Sequence, residues 1–568
     1  MPRRRGGGRR WSKVAGMEMW ALGIGEAVTV CAVAWRAFWP VVVCAGVAAC
    51  ERGGPTNLAR LLVDPQLPRV FLDTRYIPPG GATINVPAGA DVQAALNAAQ
   101  PGDEIVLAAG ATFVGSFTLP NKPGTGWITI RSSTAAANLP TEGQRISPAY
   151  ASVLPKLVSP DVGPALQTAP GAHHFRIVGV EITVAAGVTL NYGIVLLGQK
   201  SSVQTSLSQV PHDITLDRVY VHGTPTVSVS RCVALNGAAT AVIDSYLSEC
   251  HAQGFDAQAI CGWNGPGPFK IVNTYLEGSG ENLMFGGEDP GIPDLVPSDI
   301  EIRRNYFNKP LVWRGVWTAK NLLELKLGRR VLIQGNVFEH SWTDAQVGFA
   351  MLVWTVNQNL TAPWSVTEDV WIRENIIRHA AGGLDLRQSS GEGPSNDYTK
   401  RVRLDNNVWQ DITSATWSSG SNNGRLFQIG SGALMHDVQI YTQTGIDVDQ
   451  MTMEMMGGTV TNFAFSNNVV GYGLYGFRSD DAPDGTPTLD LHLPGWSFAR
   501  NVIPTAPASR YPTNNFYPAS TSAIGFVNAA AGDYHLAASS PYKNQGTNGR
   551  DPGADIDAVM AATAGVVP

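Results

Sequence analysis

Apolar and polar positions alternate along much of this chain in a short motif that recurs. Two apolar residues stand at i and i+2, a polar pair follows, and then often Asn and another apolar residue. The copies with Asn are IEIRRNYF from Ile300, VLIQGNVF from Val331, VWIRENII from Val370, VRLDNNVW from Val402, FAFSNNVV from Phe463 and WSFARNVI from Trp496. Looser copies begin at Phe175, Ile214, Phe269 and Val438. The copies return about every 25 to 40 residues, which indicates a stack of repeats.

Each copy predicts short strands, because its apolar period is 2. A further strand is predicted before five of the copies, over 281–287, 322–328, 350–356, 383–389 and 425–431. Three short strands per repeat, a variable loop and no helical period predict an all-β fold, a right-handed parallel β-helix of about 11–13 coils. A β-propeller or sandwich is the alternative, but a propeller needs four strands per repeat and more regular spacing.

The recurring asparagines fall between the first two strands of a repeat, at Asn305, Asn336, Asn375, Asn407, Asn468 and Asn501. Asn tolerates left-handed backbone and bonds the neighbouring main chain, so it suits a tight bend. If the bends stack, the side-chain amides can bond along the stack. We therefore interpret these residues as structural.

Both ends of the repeat region carry segments that would cap an open β-helix. Residues 91–113 predict a short amphipathic helix, a Pro-Gly-Asp turn and a first strand, and this segment resembles the N-terminal cap of the pectin-lyase-like superfamily. Residues 532–556 resemble the closing segment of many secreted β-helix proteins. The resemblance covers roughly residues 80–556 and implies the fold, but this superfamily hosts many functions.

The first 49 residues have the composition of an export signal. A basic start is followed by a 13-residue apolar stretch from Ala37 to Ala49, which is short for a membrane span. The sequence Val47-Ala48-Ala49-Cys50 resembles a bacterial lipobox, which implies lipidation of Cys50 and an outer-membrane or cell-surface lipoprotein. An ordinary signal peptide, giving a secreted or periplasmic protein, is the alternative. The predicted organisation is 1–49 signal, 50–80 tether, 81–556 β-helix and 557–568 C-terminal tail.

Charge and cysteine content narrow the function classes. The net charge is −6, and the chain lacks the basic stripe of a nucleic-acid-binding protein. Outside the leader and Cys50, the chain has Cys232, Cys250 and Cys261, which allow one disulfide of undetermined pairing in an exported protein. Cys232 and Cys250 could equally stack as buried apolar residues. We expect a monomer.

Alternation in the third strand of each repeat assigns an outward column. It places Glu324 and Lys326, Trp354, Asp385 and Arg387, and Gln428 on the outside of neighbouring coils. Charged and aromatic residues also occur in the loops beside this column: Glu281, Trp313, Arg314, His340, Trp342 and Asn357. Flat apolar faces beside directional polar groups are typical of a sugar-binding groove. The sequence therefore predicts a glycan site along 281–390.

The stretch KNLLELKLGRRVLIQGNVFEHSW (320–342) resembles the catalytic segment of chondroitinase-B and alginate-lyase-type polysaccharide lyases. That resemblance implies β-elimination on an acidic polysaccharide, with Lys326 as base and Glu324, Asp385 and Glu281 as Ca²⁺ ligands. Those lyases also place Arg-His-Gly on a following coil, where this chain reads AMLVWTVNQN, so Arg387 one coil further would substitute. His340 is the third candidate catalytic residue. Trp313, Trp342, Trp354, Arg314, Asn357 and Gln428 are expected to bind substrate.

Other functions are weighed against this one. Glu324 and Asp385 could act as the paired carboxylates of a glycoside hydrolase, but a separation of roughly 10 Å over two rungs is at or beyond the limit for an inverting pair. A non-catalytic glycan-binding or structural surface protein would use the same tryptophans. Glu324 with Lys326 and Asp385 with Arg387 would then be ion pairs, and His340 would bond a loop. His173 and His174 are interpreted as loop residues rather than metal ligands.

Overall fold

The chain folds as a right-handed parallel β-helix. The computed structural model describes residues 62–389, 395–419 and 423–568, which lie in one compact unit, Ala59–Pro568. Cys50 and the predicted signal segment lie outside these residues. Sheet 1 has 14 strands, whereas sheet 2 and sheet 3 have 12 each. Each coil runs through sheets 1, 2 and 3 in turn, so the described residues form twelve complete coils, in agreement with the predicted number.

Sheet 1 receives the first apolar pair of every repeat. Its strands are Thr83–Val86, Glu104–Leu107, Ile128–Ser132, His173–Val178, His212–Asp217, Ala238–Ile243, Phe269–Val272, Ser298–Arg303, Gly328–Gln334, Thr367–Arg373, Lys400–Asp405, His436–Tyr441, Thr461–Ser466 and Ser497–Ala499. Sheet 2 receives the residues after the bend. Its strands are Thr112–Val114, Lys156–Ser159, Glu181–Val184, Tyr220–His222, Tyr246–Cys250, Tyr275–Gly278, Tyr306–Asn308, Val337–Ser341, Ile376–Ala380, Val408–Ile412, Thr444–Gly445 and Val469–Val470.

Sheet 3 contains the third strand of each coil and carries the predicted site. Its strands are Phe117–Leu119, Leu166–Thr168, Val195–Leu197, Arg231–Leu235, Gln258–Gly262, Glu281–Phe285, Leu323–Leu325, Phe349–Val353, Gly382–Arg387, Arg425–Gly430, Met451–Met455 and Phe477–Ser479. Two short pairs lie apart from the main sheets. They are Leu190–Asn191 with Ser228–Val229, which is parallel, and Phe526–Asn528 with Asp533–Leu536, which is antiparallel.

Helices occur at the ends and in loops of the coils. The α-helices of the described residues are Val92–Ala98, Ser414–Trp417, Thr486–His492 and Ile556–Thr563, and the 3₁₀ turns are Ala136–Asn138, Pro148–Tyr150, Leu207–Gln209, Leu311–Trp313, Ala508–Arg510, Thr521–Ile524 and Ala529–Ala531. The predicted N-terminal helix is confirmed, and the Asp91 carboxylate caps it by accepting from the amide of Ala94. None of the helices in the described residues has the length and apolar character needed to cross a membrane.

Inward residues of the coils form one continuous apolar core. In sheet 3, Leu323, Met351, Leu384 and Phe427 occupy one column on successive rungs, and all are fully buried. Each is covered by the same position of the coils above and below, which is why the repeat needs its neighbours for stability. The disulfide joins Cys232 to Cys250, and Cys261 is a buried free thiol.

The predicted asparagine ladder is confirmed. Each amide donates to the carbonyl oxygen of the next, from Asn305 to Asn336 at 3.1 Å, from Asn336 to Asn375 at 3.0 Å and from Asn375 to Asn407 at 2.9 Å. In the next coil Gln443 replaces the Asn, and the ladder continues through Asn468 and Asn501. The expected left-handed backbone, however, belongs to the preceding residue: φ is +54° at Arg304 and at Glu374. The Asn supplies the hydrogen bonds and its predecessor makes the bend.

A second left-handed position lies near the start of the sheet 1 strands, and we call it the left-handed column. It comprises His174, Asp213, Ala239, Asp299, Arg330, Asp369, Arg401, Asp437 and Asn462. The last six occupy successive rungs, because the residues before them are in register. Acid and base alternate there. Arg330 binds Asp299 at 2.7 and 2.8 Å, and Arg401 binds Asp369 at 2.7 and 2.9 Å.

Residues 62–77, predicted as part of a tether, form an ordered strap over sheet 1. The amides of Val63, Gln66 and Arg69 donate to Asp437, Asp369 and Asp299 at 3.1, 3.0 and 2.7 Å. Three residues of polyproline II backbone advance about 9.3 Å, and two rungs advance about 9.6 Å. The strap therefore meets every second rung of the left-handed column. Pro65 and Pro68 precede two of the donors and favour this conformation.

The C-terminal residues also pack on the coils. Residues 557–568, predicted as a tail, contain most of the helix Ile556–Thr563. Its Val559 packs with Val408 and Tyr534. Val566 is fully buried against Tyr275 and Tyr306 of sheet 2.

Candidate functional site

The outward column predicted on sheet 3 exists in the structure. Glu324, Leu352, Asp385, Gln428 and Glu454 pair on five successive rungs. Because strands of neighbouring coils lie about 4.8 Å apart, polar groups of different coils form one continuous strip. We call this surface the sheet 3 strip. It brings together residues that are up to 130 positions apart in the sequence.

Trp354 is the centre of the sheet 3 strip. The Lys326 ammonium lies 5.8 Å from the centre of its indole ring, and the Arg387 guanidinium carbon lies 5.5 Å from it. Both distances are in the range of cation–π attraction. The indole N–H donates to Oε1 of Glu324 at 3.1 Å. Three of the predicted site residues are thus brought into contact with the fourth, Trp354.

Both cations of the sheet 3 strip have carboxylate partners. Lys326 Nζ lies 3.4 Å from Glu324 Oε1 and donates to Gln358 at 3.3 Å. Arg387 makes a two-pronged contact with Asp385 at 2.6 to 2.9 Å. Burial raises the pKa of Asp385, and the Arg387 guanidinium and the Gln428 amide oppose that rise. The strip therefore presents paired charges around an aromatic ring.

A buried polar centre lies at the N-terminal edge of the strip, and its main cation, Lys309, was not among the predicted residues. The Lys309 ammonium is fully buried. It donates to the carbonyls of Gly278 and Gly280 and to Oδ1 of Asn282, the last at 2.8 Å. Burial lowers the pKa of Lys309, and the nearby Glu281 carboxylate opposes this. Lys309 stands four residues after Asn305, and that spacing is the sequence signal that could have found it.

Glu281, a predicted Ca²⁺ ligand, belongs to the buried polar centre. Its Oε2 accepts from the Gln258 amide at 2.7 Å, and Lys320 Nζ lies 3.5 Å from its Oε1. Burial, together with repulsion from Glu324 and Asp256, raises the pKa of Glu281. Lys320 also pairs with Asp256 at 2.6 Å, so this lysine closes the centre towards solvent.

The predicted substrate-binding role is wrong for two of the tryptophans, because their rings are buried. Trp313 is 4% exposed and Trp342 is 1% exposed, and they pack with each other and with Ala319 and Trp317. The edge of Trp313 also meets His251, with ring centres 5.1 Å apart. An indole whose faces are covered by protein cannot stack on a sugar. These rings anchor the loops that precede the sheet 3 strands Leu323–Leu325 and Phe349–Val353.

His340 lies on sheet 2, whereas Lys326 and Arg387 lie on the sheet 3 side of the coil, so the predicted catalytic trio is not assembled. Its Nδ1 is 3.0 Å from Asn308 Oδ1, and its ring stacks with His379 at 5.6 Å. Burial is the main cause that lowers the pKa of His340. The sequence could have predicted the position of His340 on sheet 2. It follows Asn336 by four residues, and the residues after that bend form a sheet 2 strand.

The remaining predicted substrate ligands have different environments. Arg314 is exposed and donates to the carbonyl of Thr416 at 3.1 Å. Asn357 is buried, and its Oδ1 accepts from the amide of Ala362 at 2.8 Å, which holds a loop. Gln428 is buried beside Asp385. Of this set, Trp354 alone lies in contact with both candidate cations in the described part of the chain.

The three predicted Ca²⁺ ligands do not share one ligand point. Leu352 separates Glu324 from Asp385 in the column, Arg387 occupies both oxygens of Asp385, and Glu281 lies in the buried centre. Among the described residues, the group whose ligand atoms lie within 4.8 Å of one another is His174, His212 and Asp213. Calcium binding stays a prediction.

No protein-family model matches the chain, and no curated protein matches it. Among solved structures, the chain is similar to an alginate lyase from Paenibacillus sp. str. FPU-7, with 13% identity over 73% of this chain and 98% of that one and a TM-score of 0.26. It is similar to the PL6 family alginate lyase AlyGC, with 12% identity, 86% and 59% coverage and a TM-score of 0.38. The chain thus spans less than two thirds of AlyGC.

A third similar structure is a mannuronic acid specific polysaccharide family 6 lyase from human gut microbiota. The identity is 10%, the coverage is 80% of this chain and 90% of that one, and the TM-score is 0.41. At these values the similarities assign no activity to the chain. The class that its own structure defines is the right-handed parallel β-helix protein.

Proposed function

We propose that this protein binds an acidic polysaccharide along the sheet 3 strip and cleaves it by β-elimination. The observation that carries the proposal is the position of Trp354 between Lys326 and Arg387. Trp354 is partly exposed, so its indole offers apolar contact to a sugar ring. The Arg387 guanidinium offers directional contacts to a uronate carboxylate, and Lys326 lies beside them as the base.

β-Elimination needs a base and a positive charge that neutralises the substrate carboxylate. In the proposed step, Lys326 first releases its ammonium proton to solvent, and its Nζ then takes the proton on the carbon next to the carboxylate. The electron pair forms a carbon–carbon double bond as the glycosidic C–O bond breaks, and the leaving oxygen takes a proton from water. Arg387 would neutralise the carboxylate and so stabilise the negative charge that develops there. For this, Arg387 exchanges its Asp385 partner for the substrate.

The test is absorbance near 235 nm, where the new double bond conjugated to the carboxylate absorbs. The chain is incubated with a panel of uronate polysaccharides, with Ca²⁺ and with chelator. We expect a rise that Lys326→Ala abolishes. Lys122→Ala is the matched control, because Lys122 is a partly exposed lysine that bonds the carbonyl of Asn97 near the N-terminal cap. A flat trace on every polymer would overturn the lyase proposal.

A second candidate is glycan binding without cleavage, and the ion pairs of the strip favour it. Lys326 is paired with Glu324 and Arg387 with Asp385, an arrangement that also suits a fixed binding surface. Binding with no rise at 235 nm and no reducing-sugar release would support this candidate. Reducing-sugar release without the absorbance rise would indicate a hydrolase, for which Glu324 and Asp385 would be the carboxylates to test.

The matched control for binding is another tryptophan that two cations flank. Trp371 on sheet 1 lies 5.0 Å from the Arg373 guanidinium carbon and 4.9 Å from that of Arg403, measured to the ring centre. We expect Trp354→Ala to weaken glycan binding at least about tenfold, and Trp371→Ala to leave it unchanged. Equal losses in both variants would contradict the placement of the site on sheet 3.

A further inference from the structure

The left-handed column changes its chemistry at the N-terminal coils. Asp299 and Asp369 each receive a guanidinium from the next rung, through Arg330 and Arg401. Asp213 has Ala239 on the next rung, since His212 pairs with Ala238 in the sheet. On the preceding rung it has His174, since His212 pairs with His173. The carboxylate of Asp213 thus lacks the guanidinium that Asp299 and Asp369 have, and imidazoles stand in its place.

We propose that His174, His212 and Asp213 form a binding site for a divalent transition metal such as Zn²⁺ or Ni²⁺. Their ligand atoms lie within 4.8 Å of one another. Both His174 and Asp213 have positive φ, +59° and +52°, which turns their side chains to the same side of sheet 1 as the rest of the column. Two imidazoles and one carboxylate make a donor set that suits zinc, nickel or copper rather than calcium.

Neighbouring rings orient the proposed ligands. His173 stacks on His212 with ring centres 4.7 Å apart and an interplanar angle of 10°. The Nδ1 of His173 lies 2.7 Å from the Nδ1 of His174, and the Nδ1 of His212 lies 2.7 Å from Asp213 Oδ2. Nδ1 of His212 and Oδ2 of Asp213 face each other and would exchange their hydrogen bond for bonds to the ion. The contact with His173 uses Nδ1 of His174 and leaves its Nε2 for the metal. A bond of this kind to the second nitrogen is the usual support of a metal-binding histidine.

The ligand atoms of His174, His212 and Asp213 must move slightly closer together when a metal binds. Zinc bonds to nitrogen and oxygen are about 2.0–2.2 Å, so ligand atoms of a tetrahedral ion lie about 3.3–3.6 Å apart. Rotation of half-exposed imidazole and carboxylate side chains closes the difference from 4.8 Å. Trp127 packs against His174 with ring centres 5.5 Å apart and limits that rotation on one side. Solvent would complete the coordination of the ion.

The test is calorimetric titration of the full chain, stripped with EDTA, with ZnCl₂ and with NiCl₂. We expect a saturable site that His174→Ala, His212→Ala and Asp213→Ala each weaken at least about tenfold. His436→Ala is the matched control. His436 makes the same contact to Asp437 in the same column, at 2.6 Å, without a second imidazole on the neighbouring rungs. The control should bind the metal like the wild type.

Cobalt substitution gives a second measurement that does not depend on a variant. Co²⁺ bound to imidazole and carboxylate in a low-coordinate site absorbs strongly in the visible range, whereas aqueous Co²⁺ absorbs weakly. The expected strong bands should disappear in the double variant His174→Ala/His212→Ala and persist in His436→Ala. An aqueous spectrum, or a metal affinity that His436→Ala lowers as much as His212→Ala does, would overturn the proposal.

Discussion

The indole Nε1 of Trp354 donates a hydrogen bond to Oε1 of Glu324 at 3.1 Å, between neighbouring coils of the solenoid. Glu324 is fully buried, and its other oxygen accepts from Asn321 at 2.9 Å. The aromatic ring of the proposed binding surface is therefore held by a buried carboxylate beneath it. A change in the position of the Trp354 ring would therefore also change the hydrogen bonding of the Glu324 carboxylate.

Trp354→Phe separates these two roles, because it keeps an aromatic face and removes the donor. The Lys326 ammonium stays 3.4 Å from Oε1 of Glu324, so the variant loses one hydrogen bond to a charged group, which costs about 1.5–3 kcal/mol. We expect the free energy of unfolding to fall by that amount while glycan affinity falls less than in Trp354→Ala. Chemical denaturation and glycan binding measure the two effects. Trp371→Phe is the control, since the buried Trp371 indole N–H has no acceptor among the described residues. A comparable loss of stability there would refute the role of the N–H.

Asn375→Ala should destabilise the solenoid by about 2–4 kcal/mol, because it leaves several buried partners unsatisfied. Its amide donates to Ile333 and Asn407, and its Oδ1 accepts from Asn336. Thermal or urea unfolding gives the measurement. Asn138 is exposed, and Asn138→Ala should be neutral. Equal stability of both variants would show that the ladder contributes little.

The contribution of Glu277 to the free energy of unfolding should fall as the pH rises from about 4.5 to about 7. Burial raises the pKa of Glu277 from its ordinary 4.5 to about 7, although hydrogen bonds from Tyr275 and Glu249 oppose it. In this window the folded state holds a proton that the unfolded state has lost, so unfolding becomes easier with rising pH. The effect amounts to about 3 kcal/mol.

Glu277→Gln should remove this contribution, so that the difference between wild type and variant changes across the window and is constant outside it. Urea denaturation at a series of pH values checks this. Glu288→Gln is a suitable control, since Glu288 is a partly exposed loop residue. A wild-type-minus-variant difference independent of pH would contradict the raised pKa of Glu277.

The strap predicts a pattern of amide hydrogen exchange with a period of three residues. The amides of Gln66 and Arg69 bond Asp369 and Asp299 and should exchange slowly, whereas those of Leu67 and Val70 should exchange fast. Asp369→Ala should release Gln66 and leave Arg69 protected. Exchange read by NMR or by mass spectrometry of overlapping peptides distinguishes these sites. Uniformly fast exchange over 62–70 would mean that the strap is not docked in solution.

The repeat, its strands and its asparagine ladder could be predicted because each depends on a pattern of residues close together in the sequence. Period-2 alternation assigns inward residues such as Leu323 and Leu384 wherever a strand is stacked, and the recurring Asn marks a bend that stacking brings into register. The column of Glu324, Asp385 and Gln428 followed from the same alternation. The left-handed residue at the bend was placed one position late, since Asn has the propensity but Arg304 and Glu374 have the conformation.

Tertiary packing decided which side chains are accessible and which are paired. Trp313 and Trp342 are buried because loops of two neighbouring coils pack against each other, and loop packing has no sequence period. Lys309 is buried because carbonyls of the previous coil surround its ammonium. The strap reaches across nine coils of sheet 1, from Arg176 to Asp437, and Asp213 meets His174 only when two coils stack. Sequence by itself determined the repeating strands, because their pattern is local. Only the stacking of coils decided the sites, because their partners come from distant parts of the chain.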